Sequence, residues 1–95
     1  FRAAEQGFAD AQFNLGLMYA YGEGVEKNMK QAVELFKKAA EQGHVDAQNN
    51  LGAMYFTGEG VERDTKKAIG WFEKAAAQGN ADAQANLEAI KAAEK

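Results

Sequence analysis

Two glycines flank a glutamate in the stretch LGLMYAYGEGV, residues 15–25, and glycine-rich turns of this kind can bind phosphate through backbone N–H groups. A phosphate loop also needs a following lysine and serine or threonine, or a complete G-x-G-x-x-G between a strand and a helix. The segment Gly22-Glu23-Gly24 has neither, and Glu23 puts a carboxylate where phosphate would bind. We therefore expect these glycines to reverse the chain between two helices.

Residues for nucleophilic or metal-assisted chemistry are scarce in the sequence. The chain has no cysteine and no serine, and its hydroxyl groups belong to two threonines and three tyrosines. His44 is the one histidine, with Asp46 two positions later, but a single histidine without a second ligand is usually a surface residue. We expect no catalytic residue, no metal site and no cofactor.

The charge and hydropathy of the chain restrict its partners. Acidic and basic residues are mixed along the 95 residues and give a net charge of −3, whereas a nucleic-acid surface is normally basic. No apolar run approaches the ~18 residues of a membrane span, and no targeting segment is visible. We expect neither a nucleic-acid partner nor membrane insertion, and the composition does not fix the compartment.

The glycine-rich turn is part of an internal repeat. Residues 8–43 match residues 44–79 without a gap, with 21 of 36 positions identical. A third copy begins at Asn80 and then departs from the pattern, while residues 1–7 match the end of a unit. A period of this size is typical of helical repeat arrays. We predict two repeats at 8–43 and 44–79, the end of a preceding repeat at 1–7, and a C-terminal capping helix at 80–95 with a polar outer face.

Each unit contains two amphipathic patterns, which predict a first helix over 9–21 and 45–57 and a second over 29–42 and 65–78. Asn28 and Asp64 stand at the N-cap positions of the second helices, and Gly43 lies just beyond a helix end. Gly16 and Gly52 lie inside first helices, where glycine costs about 1 kcal/mol relative to alanine. A close helix crossing would justify that cost. We expect Leu15, Tyr19, Phe36 and their equivalents 36 residues later to be core.

Many spaced positions agree with one family pattern, and the agreement occurs in both repeat units. The first set is Ala11, Leu15, Gly16, Met18, Tyr19, Gly22, Gly24, Val25, Ala32, Phe36, Lys38, Ala39, Ala40 and Gly43. With these residues the chain resembles the Sel-one-like repeat family, a relative of the tetratricopeptide repeats. Asn28 and Leu35 depart from the usual Asp and Trp, and the cysteine pairs of some secreted members are absent.

This resemblance implies an all-α fold, an α/α solenoid in which antiparallel helix pairs form a right-handed superhelix. It also implies that first helices line the concave face and that the protein is an adaptor that binds a protein or an extended peptide. In the tetratricopeptide-like frame, the groove-facing candidates for ligand binding are Phe13, Asn14, Leu17, Tyr21, Asn49, Asn50, Phe56 and Asn86.

Three asparagines, Asn14, Asn50 and Asn86, recur at 36-residue spacing on this face. A side-chain amide both donates and accepts, so the three could bind the backbone of an extended peptide, whose own groups repeat. Each could instead brace the helices of the repeats. The residues leave both interpretations open.

Two functions from different classes follow. The first is a peptide- or protein-binding scaffold. The second is a structural or engineered module that self-assembles through its N-terminal edge, where the first complete helix pair has no full neighbour. We expect a monomer, with an end-to-end oligomer as the alternative.

Overall fold

The computed structural model describes the backbone of residues 2–93 and the side chains of residues 7–93. This part of the chain contains no strand and folds into α1 (Arg2–Tyr21), α2 (Met29–Glu41), α3 (Val45–Thr57), α4 (Thr65–Ala77) and α5 (Ala81–Ala93). The main contacts join helices that are consecutive in the chain, as in a solenoid. The predicted all-α solenoid is confirmed.

The ends of the second helices follow from local capping. The side chains of Asn28 and Asp64 accept hydrogen bonds from the backbone N–H groups of Gln31 and Lys67, both at 3.1 Å. These bonds satisfy donors that have no partner within the helix. Such caps depend on nearby residues alone, and α2, α3 and α4 begin at the predicted residues. At their other ends, α2 and α4 stop one residue earlier than predicted.

Helix α1 differs from the prediction, because it begins at Arg2 rather than near Ala9. Gly43 and Gly79 end their helices with φ of 91° and 90°, but Gly7 has no positive φ and continues the helix. Glycine inside a helix is unfavourable by about 1 kcal/mol, which strong helix formers on both sides can offset. The assignment of residues 1–7 to a preceding repeat stays a prediction, and Phe1 lies outside the described residues.

The Gly-Glu-Gly segments are chain reversals. Gly22 and Gly24 have φ of 69° and 74°, in the left-handed region that favours glycine. The backbone N–H of Asn28 donates to the carbonyl of Tyr19 at 2.9 Å and closes the reversal. Asp64 does the same toward Tyr55 at 2.8 Å in the second unit.

Gly16 and Gly52 mark the closest approach within each helix pair. A methyl group added at Gly16 would lie 2.8 Å from the ring of Phe36, and one at Gly52 would lie 2.8 Å from the ring of Phe72. Both distances are shorter than van der Waals contact. The predicted close crossing is therefore confirmed in both units, and each crossing brings a buried phenylalanine against the first helix of its pair.

The two ends of the solenoid are unlike. Leu51 is fully buried under α2, but its equivalent Leu15 is 39% exposed, so the prediction of a core position fails for Leu15. No second helix precedes α1 in the described chain to cover it. At the other end Glu88 and Lys91 are exposed on α5. The capping role of 80–95 stays a prediction, and residues 94 and 95 lie outside the described part.

Candidate binding groove

The first helices α1 and α3 enclose a cavity above the ring of Phe36. We call it the first pocket, and its volume is about 310 Å³. Its lining comes from both helices, from α2 and from the two glycine-rich turns. It comprises Leu17, Ala20, Tyr21, Lys27, Met29, Phe36, Asn50, Ala53, Met54 and Glu59.

A second pocket of about 280 Å³ lies one repeat further along, between α3 and α5. It is lined by Ala53, Phe56, Thr57, Phe72, Asn86, Ala89 and Ile90. Every one of these residues stands 36 positions after a residue of the first pocket. The two cavities are therefore the same site built twice, and they share Ala53.

The candidate residues divide between the pockets and the packing around them. Leu17, Tyr21 and Asn50 line the first pocket, and Phe56 and Asn86 line the second. Phe13, Asn14 and Asn49 line neither pocket. The structure thus brings five of the eight candidates to two repeated cavities.

Asn86 connects two repeats. Its Nδ2 donates a hydrogen bond to Oδ1 of Asn49 at 3.1 Å, so the bond joins α5 to α3. Both side chains are half-buried. A bond of this kind between helices holds the angle between neighbouring repeats, so Asn86 has an internal partner.

Asn50 is the equivalent of Asn86 one repeat earlier, but its surroundings differ. The residue equivalent to Asn49 is Phe13, whose ring cannot accept the amide hydrogen bond. The half-buried side chain of Asn50 makes no hydrogen bond to any described residue. Asn14, the third member of the series, is exposed and lines neither of the two pockets. The three asparagines therefore have three different environments.

Phe13 takes part in packing between the first two repeats. Its ring lies 5.5 Å from the ring of Phe36 and 4.5 Å from the imidazole of His44, in a stacked arrangement. The ring thus fills the space beside the first pocket rather than lining it.

His44 is a structural residue with a defined set of partners. Its Nδ1 accepts a hydrogen bond from the N–H of Ala47 at 3.1 Å and caps α3, and its Nε2 lies 2.9 Å from Oδ1 of Asp10. The neutral tautomer that carries hydrogen on Nε2 satisfies both bonds. The side chain is only 13% exposed, so the expectation of a surface histidine is wrong. The carboxylate beside it is Asp10 rather than Asp46.

Several residues that line the first pocket were not sequence-based candidates, and three of them lie outside the first helices in or next to the turns. Lys27 and Met29 come from the turn and the start of α2, and Glu59 comes from the next turn. Positions 27 and 29 differ between the units, where Arg63 and Thr65 replace Lys27 and Met29. That variation is the signal in the sequence that could have indicated Lys27 and Met29, whereas Glu59 recurs as Glu23 and carries no such signal.

The described part of the chain contains neither a cluster of metal ligands nor a membrane-spanning helix. No group of three or more His, Cys, Asp or Glu side chains is placed to hold a metal ion there. Likewise, none of the described helices combines the length and apolarity needed to cross a bilayer.

Comparison with known proteins identifies the repeat. The family model described as Sel1 repeat matches residues 9–44 and 45–80. These units have the predicted length of 36 residues and begin one residue later than the predicted ones. No curated protein matches the chain.

Solved structures give the same fold. The chain is 49% identical to c5321, a protective antigen of uropathogenic Escherichia coli strains with an SLR fold, at a TM-score of 0.80 over 86% of this chain and 18% of that one. It is 44% identical to a Sel1 repeat protein from Oxalobacter formigenes, at a TM-score of 0.83 over 84% of this chain and 60% of that one. It is 32% identical to cysteine rich protein B of Helicobacter pylori, at a TM-score of 0.80 over 83% and 59%. The chain thus spans less than two thirds of each of these relatives.

Proposed function

The chain belongs to the Sel1 repeat family, and from that premise we propose that it is a non-catalytic scaffold that binds an extended segment of a partner protein. Sel1 repeat proteins are generally protein-interaction scaffolds, and the repeats mediate protein interactions. The proposed binding surface is the groove formed by α1, α3 and α5, which contains the first and second pockets.

The observation that carries this proposal is the repetition of one pocket at a spacing of 36 residues. An extended peptide also repeats, because its backbone groups recur at every residue and the side chains on one of its faces recur at a regular interval. Two equivalent cavities in a row suit two side chains of such a segment. A small rigid molecule would need only one of them.

The chemistry of the lining supports a peptide as the occupant. Apolar side chains make up most of both pockets, and a few polar groups lie among them, as is usual in ligand sites. The unpaired amide of Asn50 is able to donate to a peptide carbonyl and to accept from a peptide N–H. The sequence lacks serine and cysteine nucleophiles, so the proposal includes no covalent step.

A peptide-display selection against the folded chain tests the proposal. Selected peptides are counter-screened against Asn50→Ala in the first pocket and Phe56→Ala in the second. Asn14→Ala is the matched control, because Asn14 has the same register as Asn50 but lies outside both pockets. We expect binders that weaken with both pocket variants and keep their affinity for the control. Absence of any binder to a chain that is folded by circular dichroism would overturn the proposal.

Self-assembly is the second candidate, and one observation favours it. Phe8, Leu15 and Met18 of α1 are 61%, 39% and 38% exposed, whereas Leu51 and Met54 at the equivalent positions of α3 are 0% and 7% exposed beneath α2. The occupant we propose for this apolar face is a second copy of the chain. Light scattering over a wide concentration range tests this candidate, because a mass that stays at the monomer value excludes self-assembly.

A further inference from the structure

We infer that the two pockets bind different side chains of one partner segment: a neutral amide side chain, asparagine or glutamine, in the first pocket, and an aliphatic or aromatic side chain in the second. This inference rests on the proposed function, because it assumes that a peptide occupies the groove. It assigns a separate role to each of two asparagines that the repeat makes equivalent.

The first step concerns the availability of the two amides. Asn86 in the second pocket donates to Asn49 at 3.1 Å, whereas Asn50 in the first pocket has no hydrogen-bond partner among the described residues. The difference arises because the first repeat has Phe13 where the second has Asn49, and a phenyl ring offers no oxygen to accept the amide hydrogen bond. A half-buried amide without a partner favours a ligand that supplies one, because an unsatisfied polar group costs free energy when a ligand covers it.

The second step concerns charge around the first pocket. Lys27 and Glu59 both line it, and these two side chains form no ion pair with each other. A charged guest would be attracted by one of these two groups and repelled by the other, and it would also lose hydration of its charge in the pocket. A carboxamide carries no net charge, accepts from Lys27 and Asn50, and donates to Glu59. Neutral amide side chains therefore suit this lining better than charged ones.

The third step concerns the polar groups of the second pocket, which already have partners. The hydroxyl of Thr57 donates to the carbonyl of Ala53 at 3.1 Å, and the amide of Asn86 is held by Asn49. The remaining lining consists of Ala53, Phe56, Phe72, Ala89 and Ile90. A polar guest would lose its hydrogen bonds to water there without replacement, so an apolar side chain is preferred.

The spacing of the two guests follows from the helices that separate the pockets. The first pocket lies between α1 and α3 and the second between α3 and α5, so the step from one to the next is about one helix diameter, ~10 Å. A partner segment in the extended polyproline II conformation rises about 3.1 Å per residue and has three residues per turn, so side chains three residues apart lie on the same face, about 9 Å from each other. The two guest side chains are therefore expected three residues apart, with two residues between them.

Fluorescence polarisation with defined peptides tests this inference. The probes are labelled, terminally capped peptides with serine and glycine flanks around Asn-Ala-Ala-Leu, Leu-Ala-Ala-Asn, Leu-Ala-Ala-Leu or Asn-Ala-Ala-Asn. Both mixed orders are included because either chain direction fits the groove. We expect one mixed order to bind about five- to tenfold more tightly than the two uniform peptides.

Two variants of similar volume separate the roles of the asparagines. Asn50→Leu removes the free amide, so we expect the preference for the mixed peptide over Leu-Ala-Ala-Leu to disappear. Asn86→Leu removes the bond to Asn49, so we expect a lower melting temperature while the same peptide preference remains. Tightest binding of Leu-Ala-Ala-Leu, or equal loss of preference in both variants, would overturn the inference.

The failure of this inference is distinguishable from the failure of the proposed function. If the display selection yields groove binders while the four defined peptides show no mixed preference, the groove function stands and the division between the pockets falls. If the selection yields no binder and the defined peptides do not bind, both fall.

Discussion

The amide of Asn86 donates to the side-chain oxygen of Asn49 at 3.1 Å, although the two residues stand 37 positions apart and occupy different first helices. In the 36-residue repeat, the residue equivalent to Asn86 is Asn50 rather than Asn49. The bond goes instead to Asn49, the residue before, and Asn50 lines the first pocket with no hydrogen-bond partner among the described residues. One side-chain contact thus separates a structural asparagine from a candidate ligand-binding one.

The first prediction concerns this bond. We expect Asn86→Ala and Asn49→Ala each to lower the free energy of unfolding by about 1 kcal/mol, because each leaves a half-buried amide without its partner. For a chain of this size that change corresponds to a melting temperature lower by roughly 4–8 °C. Asn50→Ala, which breaks no bond, is the control and is expected to change the melt by less.

A double-mutant cycle isolates the interaction in that prediction. If the Asn49–Asn86 bond is real, the double variant loses clearly less than the sum of the two single losses. Purely additive losses would contradict the assignment of Asn86 as an internal partner.

The second prediction concerns the close crossing at Gly52. A methyl group there lies 2.8 Å from the ring of Phe72 and 3.2 Å from the carbonyl of Ala68. We expect Gly52→Leu to lower the free energy of unfolding by 1–3 kcal/mol or more, about the cost of overpacking a core. Gly70 provides the control, because it lies inside α4 with no atom within 4 Å of an added methyl group. Gly70→Ala is expected to stabilise the chain by up to about 1 kcal/mol. Equal melting temperatures for Gly52→Leu and the parent chain would contradict the crossing.

Local chemistry made most of the fold predictable from the sequence. Asn28 and Asp64 determine where α2 and α4 begin, since each caps the N–H three residues later. The turn glycines have the positive φ that their neighbours could not adopt easily. Gly7 was the exception, because the residues around it do not show whether this glycine ends a helix or lies inside one.

The candidate site was less predictable, because it depends on the rotation between repeats. The candidates Asn50 and Phe56 came from the tetratricopeptide-like frame, and each lines a pocket, while their role in binding stays a prediction. The pairing of Asn86 with Asn49, and the approach of Lys27 and Glu59 to one cavity, depend on how neighbouring repeats are oriented. A single sequence carries no direct measure of that orientation.

The third prediction concerns His44, which caps α3 and stacks on Phe13 at 4.5 Å. We expect His44→Ala to lower the free energy of unfolding by about 1–2 kcal/mol, since it removes an N-cap as well as an aromatic contact. His44→Asn keeps a capping side chain, as Asn80 does for α5 through its bond to Ala83 at 2.8 Å, and is expected to recover part of the loss. Urea denaturation measures both variants, and equal losses for the two would show that capping contributes nothing.

The fourth prediction compares two glycines with positive φ. Gly60 has φ of 72°, and an added methyl group would lie 2.6 Å from the carbonyl oxygen of Met29, so the turn after α3 touches the start of α2. Gly79 has φ of 90° and nothing within 4 Å of an added methyl group. Both alanine variants incur the cost of a left-handed residue, about 1 kcal/mol, but only Gly60→Ala also forces two repeats apart.

We therefore expect Gly60→Ala to melt at a clearly lower temperature than Gly79→Ala. Because Met29 lines the first pocket, Gly60→Ala is also expected to weaken any peptide selected on the groove, whereas Gly79→Ala leaves binding unchanged. Thermal melts by circular dichroism and fluorescence polarisation with a selected peptide measure the two effects. Indistinguishable melts would mean that the contact between this turn and α2 does not hold the repeats together, and the geometry of the first pocket would then not depend on it.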